Sequence, residues 1–526
     1  MAIPVATDGL QKPSLLRQAT LRLTAAALTF VYSLYRVHPA FWRFTARNYR
    51  PIMGRFARLH AWMMCQYAYL DVPAYRDFQT AAGFRFRWWA LDAYAPTSKQ
   101  DYVVRYPEEA RCWDGRIEVA GTVVDESSGS SGKPFNWMRS KRELNTVHRN
   151  VAGYVTMLFG STRLFCINAF SMGAWATGTN TGIAMSRVAM VKNTGPDIDK
   201  IVDTLTHFGP RFRYIISAYP PFLKHLRDRL DEEPGFDWDR YDIGGFVGGE
   251  ALTEGLRDYL QKRFSAIYSG YGASDLTIGM GGESDLAVWI RRTLQSHEGL
   301  RATVLGDDTR TPMIFQYNPL ETYLETTADG ELLATLNSTA IMAPKLRYNI
   351  GDEARLLSFP QMQRLIARHP ALRAGFDRAF ATQRMRLPFL LLFGRKDSTI
   401  SYMGANIYPL DVENGLYLDN PHAHDIESFK LELVDIGGDE QRPAIHLQLR
   451  EGAELDADAR EDLRVRAIDG VLTHLASVSR DIAQSLEEDP TARDLRVVVH
   501  DHGTGPFTGG ESKIKNVYLT DSRERS

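Results

Sequence analysis

The sequence is short of cysteine, of long apolar runs, of repeats and of net charge, and each shortage removes a class of protein. Its three cysteines, Cys65, Cys112 and Cys166, are odd in number and far apart in 526 residues. Neither a disulfide framework nor a cysteine-rich zinc site is therefore expected, and a reducing, cytoplasmic location fits. With 62 Lys+Arg against 64 Asp+Glu, no global basic field points to nucleic acid, and any anion must be held by local charge. No internal repeat marks a solenoid or propeller. The uncharged run LTAAALTFVYSLY at 23–35 is too short to span a bilayer, and no convincing signal-peptide cleavage site follows it. Arg-, Tyr- and Trp-rich flanks through Arg50 leave peripheral membrane contact through residues 21–50 open. A helix packed on the protein's own core is the expectation.

At 526 residues the chain is too long for one hydrophobic core, so at least two domains are expected. Between about 197 and 275 the segments DIDKIVDTLTHFGP, RYIISAY, PFLKHLRDRL, GGFVGG, TEGLRDYLQKRF and SAIYSGYG alternate helix and strand character. That alternation predicts parallel strands with helical crossovers, whose ligands sit beyond the carboxyl ends of the strands. Gly248, Gly249 and Glu250, and then Tyr271 to Asp275, fall at such ends. The pattern next turns to hairpins: YLETTADGELLATL, with Asp329-Gly330 at its turn, and LRYNIGDEARLL. The stretch 358–385 is helical by period. From about 398 a hairpin, a helix, a strand and a polar tail read as a compact α+β domain.

One low-complexity patch stands out, DESSGSSGKPF at 125–135. Ser127, Ser128, Gly129, Ser130, Ser131, Gly132 and Lys133 supply hydroxyls, unobstructed backbone N–H groups and one ammonium, the donors that a polyphosphate needs. The spacing does not fit a Walker loop, because Gly129 and Gly132 are too close and Pro134 replaces the magnesium-binding hydroxyl. By composition alone the patch reads equally as a flexible linker.

Its position in an ordered series changes that reading. SSGSSGKP (127–134), GGE (248–250), YGASD (271–275), LRYNIGD (346–352), GRKDSTISYMGANIYPLDVE (394–413) and GGESKIKNVYL (509–519) resemble the ordered motifs of the adenylate-forming superfamily. The segments AYLDVPAYRDF and APTSKQDYVVRYP are similar to those of its phenylacetate-CoA ligase-like branch. The resemblance covers about residues 68–519, and the 394–413 motif is its most specific part.

The resemblance implies a two-step reaction. ATP activates a carboxylic acid, aromatic or otherwise hydrophobic, as an acyl-adenylate with release of pyrophosphate, and CoA then takes the acyl group as AMP leaves. It implies ATP and Mg2+ as cofactors and CoA as acceptor. An amine, a hydroxyl or a carrier-protein thiol stays open as acceptor, as does an adenylyltransferase or a non-catalytic nucleotide-binding scaffold. The 127–133 loop would hold the β- and γ-phosphates. Gly248, Gly249 and Glu250, with Tyr271, Gly272, Ala273 and Ser274, would frame the adenine, and Asp352 would bind both ribose hydroxyls. Arg395 matches the arginine beside ribose and phosphate. Asp275 stands where the family usually has a magnesium-binding glutamate, a carboxylate one methylene shorter that Glu283 or a water could supplement. Lys513 matches the C-terminal lysine that reaches the carboxylate and α-phosphate, with Ser512 replacing the usual glycine and Lys515 two residues on. Asp397 takes the hinge position. Phe170 and Trp175, in NAFSMGAWATG, would shape the acid pocket. Many relatives carry a Cys- and Gly-rich connection where this chain has its helical 358–385 segment.

The expected architecture is α/β: a helical extension (1–65), a large adenylate-forming domain of mostly parallel sheets with a β-rich subdomain (66–396), and a small mobile α+β lid (397–526). The family admits a dimer.

Overall fold

The computed structural model describes residues 14–35, 39–127, 135–173, 176–308, 310–395, 400–402, 405–437, 440–478, 486, 495–508 and 519–520. The chain gathers into two compact units. One comprises Met1–Asn193, Gly270–Arg291 and Pro312–Phe393, and the other Thr194–Ser269, Arg292–Thr311 and Gly394–Ser526. The whole is mixed α/β.

The alternating segment opens the second unit. Asp197 caps the Ile198–Phe208 helix by accepting the Lys200 N–H at 3.0 Å, and the helix stops at Gly209. Strand Arg213–Ala218, helix Pro220–Asp231, strand Asp242–Gly248, helix Glu254–Gln261 and strand Ala266–Ala273 follow in the expected order. Arg213–Ala218 and Asp242–Gly248 run parallel, in register from Arg213 opposite Asp242 to Ala218 opposite Val247. Both are buried along nearly their whole length, as strands covered by helices must be.

The C-terminal part of this unit has a core of its own. Ile426–Gly437 and Glu440–Leu449 pair antiparallel, Arg496–His500 adds parallel to Glu440–Leu449, and Leu519–Thr520 adds parallel to Ile426–Gly437. Helix Ala457–Val478 places Leu463, Ala467, Val471 and Leu475 at every fourth position against Leu431, Ile445, Leu447 and Val497.

In the first unit, Thr322–Thr326, Glu331–Leu336, Tyr348–Leu357, Phe389–Arg395, Met313–Tyr317 and Thr277–Gly282 are successive neighbours in one sheet. The pairs Thr322–Thr326 with Glu331–Leu336, Phe389–Arg395 with Met313–Tyr317, and Thr277–Gly282 with Met313–Tyr317 are antiparallel. The parallel pair Leu164–Asn168 and Met190–Asn193 flanks helix Ala176–Met185. The expectation of mostly parallel strands therefore holds for part of the molecule, and this unit is largely antiparallel.

The first expected hairpin forms as read, with Thr322–Thr326 and Glu331–Leu336 joined across Asp329-Gly330. The second does not. LRYNIGDEARLL is a single strand, Tyr348–Leu357, in which Asn349 faces Leu333 while Glu353 faces Glu331. Three intervening residues on one side (350–352) against one on the other (332) make a β-bulge. Asn349 Oδ1 accepts the Gly351 N–H at 2.8 Å, so the local turn chemistry that suggested a reversal bends the strand without ending it.

The 358–385 segment is helical as read. Ser358 and Gln361 form a capping box for Phe359–Ala367, and Arg373–Gln383 follows. At the N-terminus, helix Leu15–Tyr35 buries Leu21 and Ala25. It is tied to helix Pro51–Asp71 by Arg17 to Gln66 Oε1 (2.9 Å) and Arg22 to Asp71 (2.6 Å). No helix among the described residues is long and apolar enough to cross a membrane.

Candidate active site

Tyr271 to Asp275 lie on a hairpin that sequence reading placed simply at a strand end. Ala266–Ala273 turns at 274–276 into Thr277–Gly282 and pairs with it antiparallel, Ala273 opposite Thr277. The Leu276 N–H closes the turn on the Ala273 carbonyl at 2.9 Å. A Cβ at Gly272 would stand 2.9 Å from the Thr277 carbonyl oxygen, so the close approach of the two strands requires glycine there.

A buried arginine holds this turn. Arg139 ends strand Phe135–Arg139, and its guanidinium donates to the backbone carbonyls of Ser274 and Leu276. Its charge is balanced by Asp125 (3.4 Å) and Glu143 (3.2 Å), all three nearly without solvent contact. Burial pushes both carboxyls up and Arg139 pulls them back down. Strands Val123–Ser127 and Phe135–Arg139 pair antiparallel, ending at Ser127 opposite Phe135, and residues 128–134 connect them in sequence.

Tyr271 and Asp352, separated by 81 positions, meet directly. The Tyr271 hydroxyl donates to Asp352 Oδ2 at 2.6 Å, and its ring lies nearly parallel to Phe315, with centroids 5.5 Å apart. Asp352 sits on the bulge of Tyr348–Leu357, a device that re-aims a side chain out of the regular pleat. A planar ring beside a carboxylate is a surface suited to a base and its sugar hydroxyls.

Asp275 is reached from the same strand. The Tyr348 hydroxyl donates to Asp275 Oδ2 at 2.8 Å, while Oδ1 makes no hydrogen bond among the described residues. Magnesium in nucleotide sites commonly takes one or two carboxylates and completes its shell with phosphate and water. A half-exposed Asp275 with an available oxygen fits that use, and no cluster of three or more metal-ligating side chains occurs among the described residues. Glu283 is fully buried.

Beside this group a cleft is lined by Arg111, Asn136, Trp137, Arg139, Glu143 and Lys345, among others. Lys345 is 7% exposed, with its ammonium 4.1 Å from the Trp137 ring centroid and 5.3 Å from that of Tyr348. Burial, with Arg111 and Arg139 nearby, lowers its pKa to about 7 against the pull of Asp275 and Glu143.

Gly248, Gly249 and Glu250 belong to the second unit, at the carboxyl end of Asp242–Gly248. Gly249 has φ +84°, and a Cβ there would stand 2.4 Å from the Tyr219 ring, so both backbone and packing exclude a larger residue. Phe170 is 2% exposed. Arg395 ends strand Phe389–Arg395. Its side chain, that of Ser127, and residues Ser128, Gly129, Ser130, Ser131, Gly132, Lys133, Trp175, Asp397, Ser512, Lys513 and Lys515 lie outside what the structure describes.

Arg139, Lys345 and Tyr348 were missed by sequence reading. Arg139 and Glu143, four apart across a strand end and a helix start, gave no periodic signal. Lys345 alone carried one, as a charge within the apolar stretch AIMAPKL.

No family model matches the sequence, and no curated protein is similar to it. Solved structures show the fold, which is shared with acyl-CoA ligases. A 2-hydroxyisobutyryl-CoA ligase in its postadenylation state, in complex with R3-HIB-AMP, superimposes with a TM-score of 0.63 at 14% identity, over 89% of each chain. The same ligase with 2-HIB-AMP and CoA in the thioesterification state gives 0.51 at 15% identity, over 91% of each chain.

Proposed function

We propose that the protein activates a carboxylic acid with Mg-ATP as an acyl-adenylate and passes the acyl group to CoA, in the manner of the phenylacetate-CoA ligases. The observation that carries the reading is the hydrogen bond between Tyr271 and Asp352. Two residues chosen from separate motifs for one nucleotide stand in contact, in a fold shared with a ligase solved with an acyl-adenylate. Tyr271 offers its ring to the base and Asp352 its carboxylate to the ribose hydroxyls. Asp275 would hold magnesium, which when bound neutralises phosphate charge. Arg139, by bonding both carbonyls of its turn, keeps Asp275 in place. The serine- and glycine-rich loop would cradle the leaving pyrophosphate, with Gly248 to Glu250 against the adenine and Arg395 against the ribose and phosphate. Lys513 would stabilise charge as the carboxylate attacks phosphorus, and the C-terminal domain would pivot at Asp397 between half-reactions. An aromatic or other hydrophobic acid, near Phe170 and Trp175, is the proposed substrate, and the cytoplasm the proposed location.

The test is a mass-spectrometric screen of pooled carboxylic acids with Mg-ATP, run with CoA, with hydroxylamine, and with neither. The expected products are an acyl-CoA, AMP and pyrophosphate. Absence of pyrophosphate release over a broad acid panel would sink the reading, and an acid-AMP product unchanged by CoA would remove the ligase step. Lys513→Ala is expected to cut adenylation by at least about 100-fold while sparing thioester formation from supplied acyl-adenylate.

A further inference from the structure

Lys345 is buried, and its ammonium has no bonded anion among the described residues. Of the three cations lining the cleft, Arg111 pairs with Glu108 at 3.2 Å, and Arg139 pairs with Asp125 and Glu143. The Lys345 ammonium makes no hydrogen bond or ion pair among the described residues and rests against the rings of Trp137 and Tyr348. An ammonium so placed, 7% exposed, has no protein acceptor for its three donors among the described residues, so water or an entering anion must supply one. Aromatic faces supply attraction but no acceptor.

The surroundings select the ligand. Three cations and the amide of Asn136 face one lining carboxylate, Glu143, which Arg139 already occupies. Arg111 and Arg139 are already matched by Glu108, Asp125 and Glu143, so among the described residues the cleft offers one uncompensated ammonium, that of Lys345, to an anionic oxygen. Asn136 and Trp137 in the cleft lining are the second and third residues of strand Phe135–Arg139, which follows the serine- and glycine-rich segment in sequence. Tyr348, whose ring centroid is 5.3 Å from the ammonium, donates its hydroxyl to Asp275. A phosphate oxygen near Asp275 would thus find in Lys345 a fixed cation that does not depend on the C-terminal domain.

We propose that Lys345 is a phosphate-binding residue, its ammonium receiving an oxygen of a polyphosphate chain, either that of ATP or free pyrophosphate. The assignment rests on the ATP-dependent reading above and gives the polyphosphate a second lysine besides Lys133. It offers a physical reason for a short aspartate at position 275, since part of the charge neutralisation is built into the protein.

The test is calorimetric titration of the full-length wild type, Lys345→Met and Lys345→Gln with inorganic pyrophosphate, ATP and AMP, each with Mg2+ and with EDTA. Thermal unfolding verifies that the variants fold. Both variants are expected to weaken pyrophosphate and ATP by about 10- to 100-fold and to leave AMP nearly unchanged, the scale of one charge-assisted hydrogen bond. Weakening of ATP and AMP with pyrophosphate unaffected would place the ammonium at the α-phosphate and overturn the assignment. Pyrophosphate affinities equal in all three proteins would overturn it outright, as would weakening only of a carboxylate such as phenylacetate. The two readings fail separately. Lys345-dependent pyrophosphate binding without activation of any acid would contradict the ligase function alone, whereas acid activation with unchanged pyrophosphate affinity would contradict this inference alone.

Discussion

Replacing Lys345 with methionine should stabilise the folded protein at pH 7 and lose that advantage in alkali. The lysine titrates near 10.5 when unfolded and at about 7 when folded, chiefly because it is buried. Between those values the unfolded chain binds a proton that the folded chain does not, so wild-type stability rises with pH across that window. The penalty is fully present below pH 7, amounts to about 4 kcal/mol at pH 7, and shrinks to about 1.4 kcal/mol at pH 9.5. Methionine has a similar length and no charge, but it forfeits the attraction to the Trp137 ring 4.1 Å away, worth about 1–2 kcal/mol. The net expectation is a variant more stable by about 2–3 kcal/mol at pH 7 and by only about 1 kcal/mol at pH 9.5, where the folded lysine is neutral and has no cation attraction to lose. Urea denaturation of both proteins at the two pH values, followed by tryptophan fluorescence, reads the difference directly. A less stable variant at pH 7, or an advantage independent of pH, would refute the reasoning. A cation retained against such a cost has its use in the cleft.

Asp352→Ala should weaken ATP binding by about 10- to 100-fold, whereas Tyr271→Phe, which keeps the ring on Phe315 and loses only the bond to Asp352, should cost about 2- to 10-fold; calorimetry with a non-hydrolysable analogue compares them. Arg139→Met leaves Asp125 and Glu143 buried without a counter-charge and should destabilise by about 3–5 kcal/mol, with partial recovery on adding Glu143→Gln, measured by chemical denaturation. Gly249→Ala should cost about 2–4 kcal/mol, since it strains the backbone and strikes Tyr219; adding Tyr219→Ala should relieve the clash and leave the strain, which thermal melts can separate.

Period and turn chemistry carry most of what was legible in the chain. Every element from Ile198–Phe208 through Ala266–Ala273 was readable, because caps such as Asp197 and Thr253, stops such as Gly209 and apolar spacing are properties of neighbours in sequence. The Thr322–Leu336 hairpin was readable for the same reason. The same signal misled at NIGD, where Asn349 makes its local turn inside a strand. Two flanking pairings with Glu331–Leu336 hold that strand on course, and pairing is not a local property.

The candidate site divides along the same line. Asp275, Tyr271 and Asp352 could be named from ordered motifs, as could the serine- and glycine-rich loop, whose flanking strands pair antiparallel. That Tyr271 bonds Asp352, that Tyr348 bonds Asp275, and that Arg139 grips the turn between Ser274 and Leu276 are matters of tertiary structure. The sequence by itself determined which residue types were present and which short segments would curl or extend, because backbone preference and capping act over a few positions. Only the folded chain decided which charges are paired. Among the described residues Arg111 and Arg139 found carboxylates and Lys345 did not, since burial and Coulomb energy depend on distances that sequence order does not encode.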